Sequence, residues 1–272
     1  MPSTRAAAAD ARQSVEAVPA PPRTAWSVGY WLWLAYRVSA VCVPACARLG
    51  VHPNQVTAVA FLAGLTGTAL LASGTAAGAL GGALLVNLYY LLDALDGDLA
   101  RATHRTSVYG SYLDDLNGHL MPALLFVALG VHVYRAVEAP LWAVGPDDGR
   151  TAFLILGGAG ALAAAQRALG EMRMREGVRK LVRRGPPARL LTASPTPFAG
   201  ALGQSEAFLR HVVGSHLIGM DGSFLPALVV AALWRRVDLL LIVTAPLSLL
   251  SLLWYLARTT VALQRADRRE DP

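Results

Sequence analysis

Cysteine and charge are both scarce in this chain. The two cysteines, Cys42 and Cys46, lie four residues apart in an apolar stretch. Two thiols cannot complete a tetrahedral metal site and define no disulfide framework, so they read as packing residues. Charged residues make up 15% of the 272 positions, whereas a soluble domain carries about a quarter. That deficit excludes an ordinary soluble protein. A hydrophobic core near the start is missing as well. Residues 1–24 are rich in Ala, Pro and mixed charge, so no cleavable signal peptide is expected. A disordered cytoplasmic tail is expected there instead. The internal symmetry of an alternating-access transporter is also missing.

Apolar residues are abundant. They form 54% of the chain, the mean hydropathy is +0.43, and long apolar runs recur. The expected fold is an all-α integral membrane protein with six transmembrane helices preceded by an interfacial amphipathic helix. That first helix covers residues 25–48, where Trp26, Tyr30, Trp31, Trp33 and Tyr36 crowd together. Such rings favour the membrane–water boundary; a spanning helix is the competing reading. In Val51-His52-Pro53-Asn54-Gln55-Val56-Thr57, Pro53 disfavours helix at His52 and Asn54 is a candidate cap. Spans are then expected near 55–73, 77–101, 110–134, 152–172, 215–234 and 237–257, each near the ~20 residues a bilayer requires. The membrane domain is taken as 25–260, and 261–272 as a cytoplasmic C-terminal tail.

The net charge of +6 is read as topology, not as a footprint for nucleic acid. With six spans, all Lys and Arg except Arg135, Arg150, Arg235 and Arg236 fall on one side. The positive-inside bias makes that side cytoplasmic, with both termini and the end of the second span. Basic residues there also meet anionic membrane lipids. The Ala, Arg and Gly content hints at a bacterial source, hence a cytoplasmic cell membrane.

The second span ends Asp93-Ala94-Leu95-Asp96-Gly97-Asp98-Leu99-Ala100-Arg101. Acids in a membrane are costly and face a cavity or a partner. Asp93 and Asp96 share one helical face, with the small residues Gly97 and Ala100 on the same stripe. Gly110 and then Asp114 follow on the next span, which must run antiparallel. Three acids at one depth call for a cation. Oxygen-only ligands suit Mg²⁺ or Mn²⁺, ions that also bind diphosphates and stabilise a departing phosphate. Pairing of the acids with Arg101, Arg105 or Arg37 is the plainer alternative. Asp98 reads as interfacial and solvated.

The run Asp93-x₂-Asp96-Gly97-x₂-Ala100-Arg101-x₈-Gly110-x₃-Asp114 resembles the signature of the CDP-alcohol phosphatidyltransferase family. Val51-x-Pro53-Asn54-x-Val56-Thr57 resembles the family's lead-in to its first core helix. The resemblance implies a transferase of phospholipid biosynthesis. It would displace CMP from a CDP-linked lipid donor by the hydroxyl of a small alcohol or phosphorylated alcohol acceptor. It implies two divalent cations on Asp93, Asp96 and Asp114. Gly97, Ala100 and Arg101 would border the cytidine nucleotide, and Gly110 would let its helix approach that pocket. A homodimer is implied on the same ground alone.

One position departs from the signature. Where the family has a fourth aspartate, which serves metal binding and deprotonation of the alcohol, this chain has Gly118. Asp115 and His119 share a face one turn apart, and either is a candidate base; His119 lies one residue past Gly118, about 100° around the helix. Asn117 is a neutral oxygen nearby. The basic segment Arg173, Arg175, Arg179, Lys180, Arg183, Arg184 and Arg189 is a topology signal. Within it, Arg173 and Arg179 are the candidates for holding an acceptor phosphate, which guanidinium groups suit. A transferase and a relative that binds CDP-lipid or metal without turnover both fit, and Gly118 favours the second. The mirror arrangement, a CDP-linked headgroup transferred to diacylglycerol, would use the same site. His211, His216 and Asp221 read as interfacial.

Overall fold

The computed structural model describes residues 30–136, 149–183 and 224–270. Expectations for 1–24 and for Arg184, Arg189, His211, His216 and Asp221 lie outside the described residues. Among those described, every regular element is a helix: α1 (Tyr30–Arg48), α2 (Pro53–Leu71), α3 (Ala76–Ala102), α4 (Val108–Ala136), α5 (Thr151–Arg183), α6 (Leu225–Leu233) and α7 (Val237–Glu270). Four stretches are long and apolar enough to cross a membrane: α2, α3, α4 and Val237–Ala257 of α7. The apolar part of α5, Thr151–Gln166, is shorter. Large side chains such as Leu62, Leu84, Val127, Leu162, Val243 and Leu253 are exposed on these helices, as a lipid solvent would permit.

Local chemistry sets the helix ends. His52 is extended, as Pro53 requires, and is itself the N-cap of α2: its ring accepts from the Asn54 N–H, while the Gln55 side chain accepts from the His52 N–H at 3.0 Å. Asn54, the expected cap, therefore lies two positions past the cap, because Pro53 already occupies the first helical residue. Thr75 caps α3 through the Gly78 N–H at 3.0 Å. Ser107 does the same for α4 through the Gly110 N–H at 2.9 Å. α3 stops sharply: His104 adopts φ +53°, and the Arg105 N–H reaches back to the Ala100 carbonyl at 3.0 Å. This left-handed ending turns the chain so that α4 returns antiparallel to α3.

Small residues bring the helices together. A Cβ on Gly67 would stand 3.0 Å from the Gly82 carbonyl, and one on Gly157 would stand 2.7 Å from the Phe126 carbonyl. Lipid supplies no hydrophobic drive between helices, so close backbone approach of this kind does the holding. The largest buried cluster runs from Leu71, Val86 and Leu129 to Phe224, Leu228 and Leu241. Buried Asn87 ties α3 to α6 by donating to the Leu225 carbonyl at 3.2 Å.

Two elements outrun their expected lengths. α5 continues to Arg183 and α7 to Glu270, well past the ends of their apolar parts. Falling hydropathy marks where a helix leaves the bilayer, not where it ends. Residues 261–270, expected as a tail, are thus helical. Only the end of the expected span at 215–234 is described, as α6. α1 buries Ala35, Ser39 and Val43 and packs with Cys42 and Cys46 against Val56, Leu95 and Leu99. The cysteines are free thiols in this contact.

Candidate functional site

The signature residues lie at the end of α3 and the start of α4, with the start of α2 packed beside each of them. Asp96 is buried at 6% exposure, Asp93 is half-buried and Asp114 is exposed. Asp96 interacts electrostatically with Asp114 and with Arg101, and it lies near Thr57 of α2, whose hydroxyl donates to the Pro53 carbonyl at 3.2 Å. Thus α2 contributes to the site through Thr57, the last residue of the lead-in motif.

Tyr89 was not singled out by the sequence, yet it lies within electrostatic reach of this group. It is 1% exposed and interacts electrostatically with Asp93, Asp96 and Asp114. Its hydroxyl is buried without a hydrogen-bond partner among the described residues. The signal was available: Tyr89, Asp93, Asp96 and Ala100 fall on one helical stripe. The ring is held by close packing, since a Cβ on Gly64 would meet it at 3.1 Å and Met121 Sδ at 2.8 Å.

Among the described residues, no three acidic, histidine or cysteine side chains form a group that would hold a metal ion as placed. Asp93, Asp96 and Asp114 are an electrostatic group, not a closed coordination sphere. In kind, the carboxylate set fits a hard divalent cation, and an orphaned buried hydroxyl beside it suits a ligand or bound water.

Asp98 corrects the sequence reading. It is 4% exposed, not solvated, and is bonded by Ser39 at 2.5 Å and Arg101 at 2.6 Å. A serine on α1 cannot be assigned to Asp98 before the packing of the two helices is known. Pairing with Arg101 therefore falls on Asp98, while Arg37 stacks over Trp33 at 5.0 Å. The atoms nearest a Cβ on Gly97 would be those of the Arg101 guanidinium, at an ordinary 3.5 Å; Ala100 beside it is half-buried. A Cβ on Gly110 would lie 3.0 Å from Ser107 Oγ and 3.5 Å from Asn54 Oδ1, which puts the start of α4 against the start of α2.

Around the departing position, α4 is helical without a bulge. His119 therefore stays about 100° around the axis from Gly118. Its Nε2 is buried with no hydrogen-bond partner among the described residues. Asp115 is half-buried and Asn117 is buried at 3%. A Cβ on Gly118 would meet nothing within 4 Å. Arg173 and Arg179 lie on the extension of α5; their side chains are outside the described ones.

Comparison with known proteins bears on the same stretch. Residues 50–169 match the family model described as CDP-alcohol phosphatidyltransferase. A bifunctional IPC transferase and DIPP synthase of Thermococcus kodakarensis is 36% identical over 93 residues, 34% of this chain and 20% of that protein. Its counterpart in Aquifex aeolicus is 40% identical over 90 residues, 33% of this chain and 20% of the relative. An archaetidylinositol phosphate synthase of Pyrococcus horikoshii is 42% identical over 88 residues, 31% of this chain and 44% of that protein. The chain thus spans less than half the length of each of these relatives.

Proposed function

We propose, from the match of residues 50–169 to the CDP-alcohol phosphatidyltransferase family model, that the protein transfers a phosphatidyl or similar substituted phosphoryl group. The donor is CDP-activated, as CDP-diacylglycerol is, the acceptor is an alcohol, and CMP is released. The observation that carries this reading is that Asp96 on α3 lies within electrostatic reach of Asp114 on α4, as does Tyr89, whose hydroxyl is buried.

In this reading Asp93, Asp96 and Asp114 hold Mg²⁺ or Mn²⁺, as two ions. When bound, the ions neutralise the diphosphate and stabilise the leaving CMP. Gly97 and Ala100 leave space for the nucleotide, Arg101 borders it, and Gly110 keeps α4 close to the pocket. The acceptor oxygen bonds to the donor phosphorus as the bond from phosphorus to the CMP oxygen breaks. The acceptor proton passes to His119 Nε2 or to Asp115. Arg173 and Arg179 hold the phosphate of a phosphorylated acceptor. Similarity to an archaetidylinositol phosphate synthase supports an acceptor of the inositol phosphate class. Six spans in the bacterial cytoplasmic membrane, with site and termini facing the cytoplasm and the chain paired as a homodimer, complete the proposal.

Gly118 supports a second reading, a relative that binds CDP-lipid and metal without turnover. Purified protein with CDP-diacylglycerol, Mg²⁺ or Mn²⁺ and pooled alcohols, including inositol phosphate, separates the two by released CMP. The transferase reading expects release that needs metal, acceptor and Asp93, with at least about a hundredfold loss in Asp93→Asn or Asp96→Asn. Metal-dependent binding of CDP-diacylglycerol without CMP would establish the second reading. Neither binding nor release would sink both.

A further inference from the structure

Asp98 lies outside the signature, yet it is among the most completely engaged acids in the described structure. The Ser39 hydroxyl of α1 donates to its Oδ2 at 2.5 Å. Arg101 Nη2 donates to its Oδ1 at 2.6 Å. One carboxylate thus joins α1 to a side chain one turn further along α3. Both contacts are short, as charge-assisted hydrogen bonds are. A buried carboxylate is destabilising unless it is paired, so Asp98 at 4% exposure holds its two donors firmly.

Arg101 is otherwise a freely rotating surface residue, with a side chain 63% exposed. Asp98 draws it back along its own helix. There Nη1 and Nη2 both stand 3.5 Å from the point where a Gly97 Cβ would be, and the charge is felt by Asp96. One of its five N–H donors is spent on Asp98, and the exposed guanidinium lies beside Gly97. A fixed guanidinium with free donors beside a glycine is arranged to receive a phosphate.

We propose that Ser39 and Asp98 are positioning residues that fix Arg101 in the pose that receives the diphosphate of a CDP-linked donor. The inference rests on the reading of the site as one for such a donor. It adds α1 to the functional unit, although α1 precedes the matched residues 50–169. Asp98 does not touch substrate; it acts through Arg101.

The test uses the full chain in detergent, with CDP binding measured at equilibrium and CMP release measured from CDP-diacylglycerol. Asp98→Asn keeps the shape and an acceptor for Ser39 but removes the charge that holds Arg101. It is expected to raise the CDP Kd and the donor KM roughly tenfold, the worth of one hydrogen bond to a charged group, with kcat changed less than about threefold. Ser39→Ala is expected to shift both in the same direction by less, and Ser39→Thr to restore them. In an Arg101→Ala background, Asp98→Asn is expected to add no further loss. If Asp98→Asn does not fold, the Ser39 pair carries the test. Wild-type Kd and KM in Asp98→Asn, or losses that add to Arg101→Ala, would overturn the relay. CDP binding that depends on Asp98 and Arg101 without CMP release would support the relay while refuting the transferase. Absence of CDP binding by the wild type would overturn the relay itself.

Discussion

His132 Nδ1 on α4 stands 2.8 Å from the carbonyl oxygen of Leu71, the last residue of α2. A carbonyl only accepts, so Nδ1 carries the proton. Next to it, Arg135 Nη1 donates to the Ala72 carbonyl at 2.9 Å. The carbonyls that α2 leaves unpaired at its C-terminus are therefore closed by a different helix. His132 is 6% exposed. Replacing it with Leu strands a buried carbonyl and is expected to cost about 1–3 kcal/mol. Thermal unfolding in detergent measures this; an unchanged Tm would mean that the contact contributes nothing net.

The α4–α5 seam makes a sharper steric prediction. A Cβ on Gly157 falls 2.7 Å from the Phe126 carbonyl and 2.9 Å from the Gly130 Cα. Both are backbone atoms, which cannot rotate away. Gly157→Val is expected to lower stability by about 1–3 kcal/mol and to reduce the yield of folded protein. Gly158→Val, where nothing lies within 4 Å, is the matched control and should leave both unchanged.

Much of this architecture was legible because hydropathy, proline and cap chemistry act locally. The break between the spans expected at 55–73 and 77–101, the antiparallel return before Asp114 and the shared face of Asp93 and Asp96 all follow from a few neighbouring residues. What was not legible depends on partners far away in the chain. Asp98 looked solvated because Ser39 is 59 residues distant. Tyr89 looked like one more apolar residue of a span, because only the assembled α2–α4 contact shows its hydroxyl left without a partner. His52 displaced Asn54 as the cap since Pro53 occupies the first helical position, a competition that the residue types alone leave undecided. The helical extensions of α5 and α7 were missed because a basic segment outside the bilayer keeps a good helix propensity.

Tyr89→Phe removes one atom and leaves the ring contacts with Gly64 and Met121 in place. The hydroxyl is buried without a partner among the described residues, so losing it is expected to raise the unliganded stability by about 1 kcal/mol. A ligand that uses the hydroxyl should reverse the benefit. Thermal shifts induced by Mn²⁺ with CDP-diacylglycerol are then smaller in Tyr89→Phe than in the wild type. Equal shifts would show that the hydroxyl takes no part in binding.

Gly118→Asp restores the acid that the family carries, and the structure says what it would meet. A Cβ there has nothing within 4 Å, and Gly118 already lies within a regular helix, where Asp costs no backbone strain. The variant is expected to fold with a Tm within a few degrees of the wild type, since glycine is the poorer helix former by a few tenths of a kcal/mol to ~1 kcal/mol. Its side chain lies one turn beyond Asp114, on the same face, so CMP release is expected to rise if a base is what the site lacks. His119→Ala decides whether one is lacking. If His119 Nε2 takes the acceptor proton, His119→Ala lowers kcat by about 10²–10⁴-fold while leaving the donor Kd unchanged, and adding Gly118→Asp recovers part of that loss. If His119→Ala is silent and Asp115→Asn is not, the proton goes to Asp115. Should both be silent while Gly118→Asp creates activity, the native chain binds its CDP-lipid without completing the transfer, and the missing carboxylate is the reason.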